Sequence, residues 1–135
     1  VAACRRLHAA IDALDQAAAN MLGVSRNDLR CLNLLEHGPM PPTKLGAALG
    51  LTSGSMTSLV DRLEAKGLVE RARAPGDRRG VLVSATPRVF ETVGRLYRGC
   101  ADAVRSTVAG YPADERHIAA RHLSDVAAAW ERAAV

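Results

Sequence analysis

Apolar residues recur at alternating spacings of three and four along the opening segment, at Cys4, Leu7, Ile11, Leu14, Ala18 and Met21. This period predicts a first helix over about residues 2 to 22, and so narrow a stripe suits a seam against another helix. Gly23 supplies its stop. Ser25 with Asp28 three residues on has the pattern of a capping box and opens a second helix to about His37, with Leu29, Leu32 and Leu35 facing inward. Gly38-Pro39 ends it, and Pro41-Pro42 opens a short third helix, Thr43 to Leu49, that buries Leu45 and Leu49.

Thr52 is the expected N-cap of a fourth helix, its hydroxyl placed to accept from the amide of Ser55. Met56, Leu59, Val60 and Leu63 make one apolar stripe. At about 100° per residue the opposite face carries Gly54, Thr57, Ser58, Asp61, Arg62 and Ala65, with Ser55 at its margin. Gly67 closes the helix, and two short strands follow, Leu68 to Arg73 and Val81 to Ser84, joined by a Pro75-Gly76 turn. Helical spacing returns after Thr86 with Val89, Val93, Leu96, Tyr97, Cys100, Val104 and Val108. Gly110 and Pro112 break it, and a last helix from about Pro112 to Ala133 carries Ile118, Leu123, Val126 and Trp130. The long alanine-rich end segments have more apolar surface than a small central module needs to cover, which points to a helical dimer interface.

A length of 135 residues with 48% hydrophobic content suits one compact domain, and 3% aromatic content leaves the packing to alanine and leucine in close-set helices. A net charge of +4 means little unless it is localised. Residues 39 to 88 hold eight basic residues against four acidic ones, and the rest of the chain is balanced. The excess therefore surrounds the fourth helix and the hairpin. Cys4, Cys31 and Cys100 have no metal-binding or disulfide-framework spacing, which argues for a reducing compartment, the cytoplasm by default. No apolar run approaches the roughly 20 residues that span a bilayer, and Asp12 and Asp15 spoil the opening segment as a signal peptide. The chain begins at Val1, so some native N-terminal residues are expected to precede it.

The run LVDRLEAKGLVER followed by APGDRRGVLVSAT, set in the order helix, helix, helix, ribbon with long helices at both ends, resembles the MarR family of winged helix-turn-helix transcription regulators. The match covers nearly the whole chain. It implies a mainly α fold, a winged helix-turn-helix with a two-stranded β-wing over residues 25 to 85, and a helical dimerisation region over residues 1 to 24 and 86 to 135. The fourth helix would enter the major groove, where Ser53, Gly54, Ser55, Thr57 and Ser58 meet bases or phosphates. Arg79 matches a wing arginine directed into the minor groove, oriented by Asp61, with Asp77 beside it in the wing tip. Lys44, Arg62, Arg71, Arg73 and Arg78 become candidate phosphate contacts, and Thr43 adds a hydroxyl at a helix N-terminus. The chain departs from the family pattern at Ala85 and at Pro87-Arg88-Val89, where the last long helix but one begins.

The resemblance implies a homodimer on double-stranded DNA bearing a pseudo-palindromic operator, acting as a repressor released by a small aromatic or amphipathic effector. A redox sensor at Cys4, supported by Arg5 and His8, is an alternative, although buried cysteine is commonly a small hydrophobe. Cys31 and Cys100 fall on apolar faces and read as core. Cys4 and His8 alone do not make a metal site, and His117 and His122 splay on a helix, so no metal and no cofactor is expected. No nucleotide-binding glycine fingerprint, nucleophile pair or hydrolase motif is present, which argues against an enzyme. The rival from another class is a winged-helix protein-interaction module without DNA binding; the localised basic excess argues against it.

Overall fold

The computed structural model describes residues 2–73 and 80–133. The Pro75-Gly76 turn and the expected sites Asp77, Arg78 and Arg79 lie outside the described residues. In chain order the elements are α1 (Ala2–Leu22), α2 (Arg26–Leu35), α3 (Pro42–Leu49), α4 (Ser53–Ala65), β1 (Val69–Arg73), β2 (Val81–Ala85), α5 (Pro87–Val108) and α6 (Ala113–Ala133). The chain divides into two compact units, Val1–Tyr97 and Arg98–Val135, with the boundary inside α5. Among the described residues no helix is long and apolar enough to cross a membrane.

The caps expected from the sequence form. Ser25 accepts from the Asp28 amide while Asp28 accepts from the Ser25 amide, so both ends of the capping box close at the start of α2. The turn between α3 and α4 is made by Gly50, at φ +67°, with the Leu51 amide donating to the Gly46 carbonyl at 2.9 Å. A side chain at that φ is strained, which explains glycine there. Thr52 then caps α4 by accepting from the Ser55 amide at 3.3 Å.

The stripes of α2, α3 and α4 meet in one core: Leu32, Leu35, Leu45, Met56, Leu59, Val60 and Leu63 are all buried, joined by Leu68, Val69 and Val83 from the hairpin. The strands pair antiparallel from Val69 opposite Ala85 to Arg73 opposite Val81. Met40 adds a bridge to Val83, with both backbone bonds at 2.9 Å, and so ties the segment before α3 to the hairpin. β2 ends at Ala85 and α5 starts at Pro87, and the link between them is pinned to the end of α4: Thr86 donates to the Leu68 and Gly67 carbonyls, and Arg88 to the carbonyl of Lys66, the C-cap of α4.

The α1 stripe, expected as a seam against another helix, is largely open within one chain: Leu7, Ile11 and Met21 are about half exposed, and Ala18 and Ala19 are the residues α1 buries, against Leu29 and Val93. One expectation changes. Cys100, expected in the core, is exposed and belongs to the second unit, where α6 buries none of its residues. Cys31 is fully buried, as expected. In the second unit α6 buries none of its residues, and Val104, Tyr111, Ile118, Leu123 and Trp130 stand exposed.

Candidate nucleic-acid interface

The N-terminal half of α4 is a surface of small polar residues. Ser53, Gly54, Ser55, Thr57 and Ser58 are all exposed, and the first turn holds no acid to oppose an approaching anion. Thr57 donates to the Ser53 carbonyl at 3.0 Å, and the Thr52 hydroxyl donates to that of Ser55 at 2.9 Å, so these hydroxyls are oriented before any ligand arrives. A Cβ added at Gly54 would meet nothing within 4 Å. The protein's own packing therefore does not require glycine there. Thr43 and Lys44 are exposed in the first turn of α3, and Lys44 has no ion-pair partner among the described residues.

The C-terminal half of α4 is held by charge. Arg62 bonds the Asp28 carboxylate through both Nη2, at 2.5 Å, and Nε, at 3.3 Å. The Asp28 side chain is only 3% exposed, so this pair links the capped start of α2 to α4 in a partly dehydrated site. Burial alone would raise the Asp28 pKa, but the Arg62 guanidinium and the bonds from Ser25 outweigh it and hold the carboxyl below its usual 3.8. On the other side Arg71 of β1 forks over α4, one guanidinium nitrogen to Asp61 and the other to Glu64. Burial and the Asp28 charge push the Cys31 thiol up to about 11, so it stays protonated and inert at neutral pH.

The expected residues are thus not equivalent in place. Ser53, Gly54, Ser55, Thr57, Ser58, Thr43 and Lys44 stand open to solvent, Arg73 is exposed at the end of β1, and Arg62 and Arg71 spend their guanidinium groups on carboxylates of the same chain. Asp61, which the family resemblance pairs with Arg79 outside the described residues, bonds Arg71. Sequence reasoning recognised Asp28 only as a cap and passed over Glu64. The Asp28–Arg62 pair is separated by 34 residues, a distance over which no local period carries a signal.

The first unit also holds a cleft of about 340 Å³ lined by Met21, Leu22, Ala65, Lys66, Leu68, Arg88 and Thr92. In the α1, α2 and α5 layer, the Tyr97 hydroxyl is buried without a hydrogen-bond partner among the described residues. Burial, then the Asp15 and Glu36 charges, raise its pKa. Among the described residues no group of three or more metal-ligating side chains forms.

Comparison with known proteins adds a relationship to this geometry. The sequence profile described as the MarR family matches residues 22–80. An uncharacterized HTH-type transcriptional regulator YcgE of Bacillus subtilis is 38% identical over 101 residues, covering 74% of this chain and 66% of that protein. The organic hydroperoxide resistance transcriptional regulator of the same organism is 41% identical over 58 residues, covering 43% of this chain and 40% of the relative. The chain thus spans about two thirds of the first relative's length and two fifths of the second's. The MepR–DNA complex of S. aureus superposes with a TM-score of 0.64 at 15% identity, covering 93% of this chain and 96% of that one, a likeness of fold.

Proposed function

This chain belongs to the MarR family of winged-helix transcription regulators, and from that premise we propose that it is a cytoplasmic, dimeric, sequence-specific repressor of duplex DNA. The observation that carries this reading is the acid-free N-terminal half of α4, an exposed run of hydroxyls and one unpacked glycine on a helix whose other half is pinned by ion pairs. In this reading Ser53, Gly54, Ser55, Thr57 and Ser58 face base edges and phosphates in the major groove. Thr43 and Lys44 take a phosphate at the start of α3. Arg73, Arg78 and Arg79 grip from the hairpin, with Asp77 and Asp61 orienting the tip, and Arg62 serves as a strut behind the helix.

The exposed apolar residues of α1 and α6 support a second copy of the chain, and two recognition helices about a two-fold axis read half-sites about one helical turn apart. The effector is a small amphipathic acid. The cleft beside Met21, Leu22 and Leu68 supports this class, because its mostly polar lining sets the cations Lys66 and Arg88 beside a smaller apolar part. Dissociation of the DNA complex by a panel of aromatic carboxylates checks it, and a complex indifferent to all of them removes the effector.

Selection of duplexes from a random-sequence pool, followed by fluorescence anisotropy across a salt series, tests DNA binding itself. Each neutralised phosphate should contribute a slope of about −0.9 in log K against log salt. Arg79→Ala should weaken binding to the selected duplex and leave the protein folded and dimeric; wild-type affinity would take Arg79 out of the mechanism. A protein that selects no duplex favours the protein-interaction reading instead.

A further inference from the structure

Arg71 was expected to reach DNA, yet its place in the hairpin is wrong for that task. It stands directly opposite Val83 in the antiparallel register, so the two side chains leave the same face of the ribbon. Val83 is fully buried, as is Val69 two residues before Arg71, which makes this the inward face. Glu70 and Ala72 occupy the other face and are exposed. From its inward root the Arg71 side chain, 28% exposed, reaches over α4 to Asp61 and Glu64, which lie three residues apart on one side of that helix. The three groups together carry one net negative charge, a poor device for attracting phosphate and a good one for joining a strand to a helix.

We propose that Arg71 is a positioning residue for DNA binding: by bridging Asp61 and Glu64 it sets the hairpin against α4 and so determines where the hairpin tip meets the duplex. The inference rests on the DNA-binding reading given above. A planar fork serves two carboxylates at once, which the single ammonium of lysine does not. Two independent tethers then hold α4, Arg62 to α2 and Arg71 to the hairpin, and they leave its N-terminal half free for bases.

The experiment compares wild type with R71M, R71K and E64Q on a duplex selected with the wild-type protein and on an unrelated duplex of equal length, by anisotropy across a salt series. R71M should weaken selected-duplex binding by roughly tenfold, the order associated with losing a charged hydrogen-bond partner, while the salt slope stays at the wild-type value. R71K should fail to restore it. E64Q is the sign test: it removes a negative charge from a DNA-binding surface, yet it should weaken binding to the selected duplex and leave or strengthen binding to the unrelated one. A slope smaller by about 0.9 in R71M, with R71K and E64Q binding like wild type or tighter, would make Arg71 a phosphate contact and overturn the proposal. Amide hydrogen exchange at Val69–Arg73 needs no DNA and separates the two readings. R71M and E64Q should each speed it, and the double variant should add nothing to R71M; unchanged exchange overturns the tether whatever the duplexes show. Should the wild type select no duplex, the DNA reading falls and exchange alone decides the tether.

Discussion

Gly54 shows how a single residue separates stability from recognition. It lies in the first turn of α4, exposed, with open space where a Cβ would be. Gly54→Ala should therefore raise folding stability, by up to about 1 kcal/mol from helix propensity. The same methyl group stands in the path of a close backbone approach to DNA, so affinity for the selected duplex should fall. Urea unfolding and anisotropy measured on one preparation check both directions, and a variant that binds unchanged would mean that Gly54 does not approach the duplex. Asp28 is the opposite case, a residue whose work is internal. Its folded pKa lies below the unfolded value near 3.8, so the stability it contributes is present above that value and is lost as pH falls through the lower folded one. Asp28→Asn should cost about 1–2 kcal/mol at pH 7, discounted because Arg62 is half exposed, and should flatten the acid limb of the stability profile. An acid limb identical to wild type would show that other carboxylates govern it.

Among the elements, those that the hydrophobic period described are the ones that the tertiary structure leaves almost unchanged. Ser25, Thr52, Gly50 and Gly67 mark helix ends by local chemistry, and the stripes of α2, α3 and α4 are read from residues within two turns of one another. The close packing of α3 on α4 was not legible in that way. A Cβ on Gly46 would come within 3.3 Å of the Leu51 carbonyl oxygen, with Met56 at an ordinary 3.7 Å, so this glycine is required by the turn that leads into α4 rather than by its own φ. Gly46→Val should destabilise the protein by about 1–3 kcal/mol through overpacking at the turn, read as a shift in the urea midpoint without a change in slope. If stability holds, α3 and α4 have room to separate. The candidate interface follows the same rule. Its exposed hydroxyls could be placed from the 3.6-residue period alone, whereas the partners of Arg62 and Arg71 could not, because Asp28 is 34 residues from the first and Glu64 comes from a different element than the second.

The whole molecule is where a single chain leaves most unsatisfied. Leu7, Ile11 and Met21 on α1, and Ile118, Leu123 and Trp130 on α6, are each about half exposed or more, and α6 has no buried residue at all. Surface of that kind is costly in water and supports the dimer proposed above. Leu123→Glu should raise the dimer dissociation constant and, by separating paired half-site contacts, weaken binding to a palindromic duplex more than to a half-site. Sedimentation velocity and anisotropy measure the two effects, and a variant that remains dimeric at low concentration would place the interface elsewhere. Local chemistry determined the order of helices and strands, their caps and the inward face of the central three helices, since each depends on residues only a few positions apart. Tertiary structure decided which arginines are already spoken for, because an ion pair is set by where side chains converge in space. It also decided that the apolar face of α1 is only partly a core face, because a hydrophobic stripe specifies that something must cover it and leaves open what does.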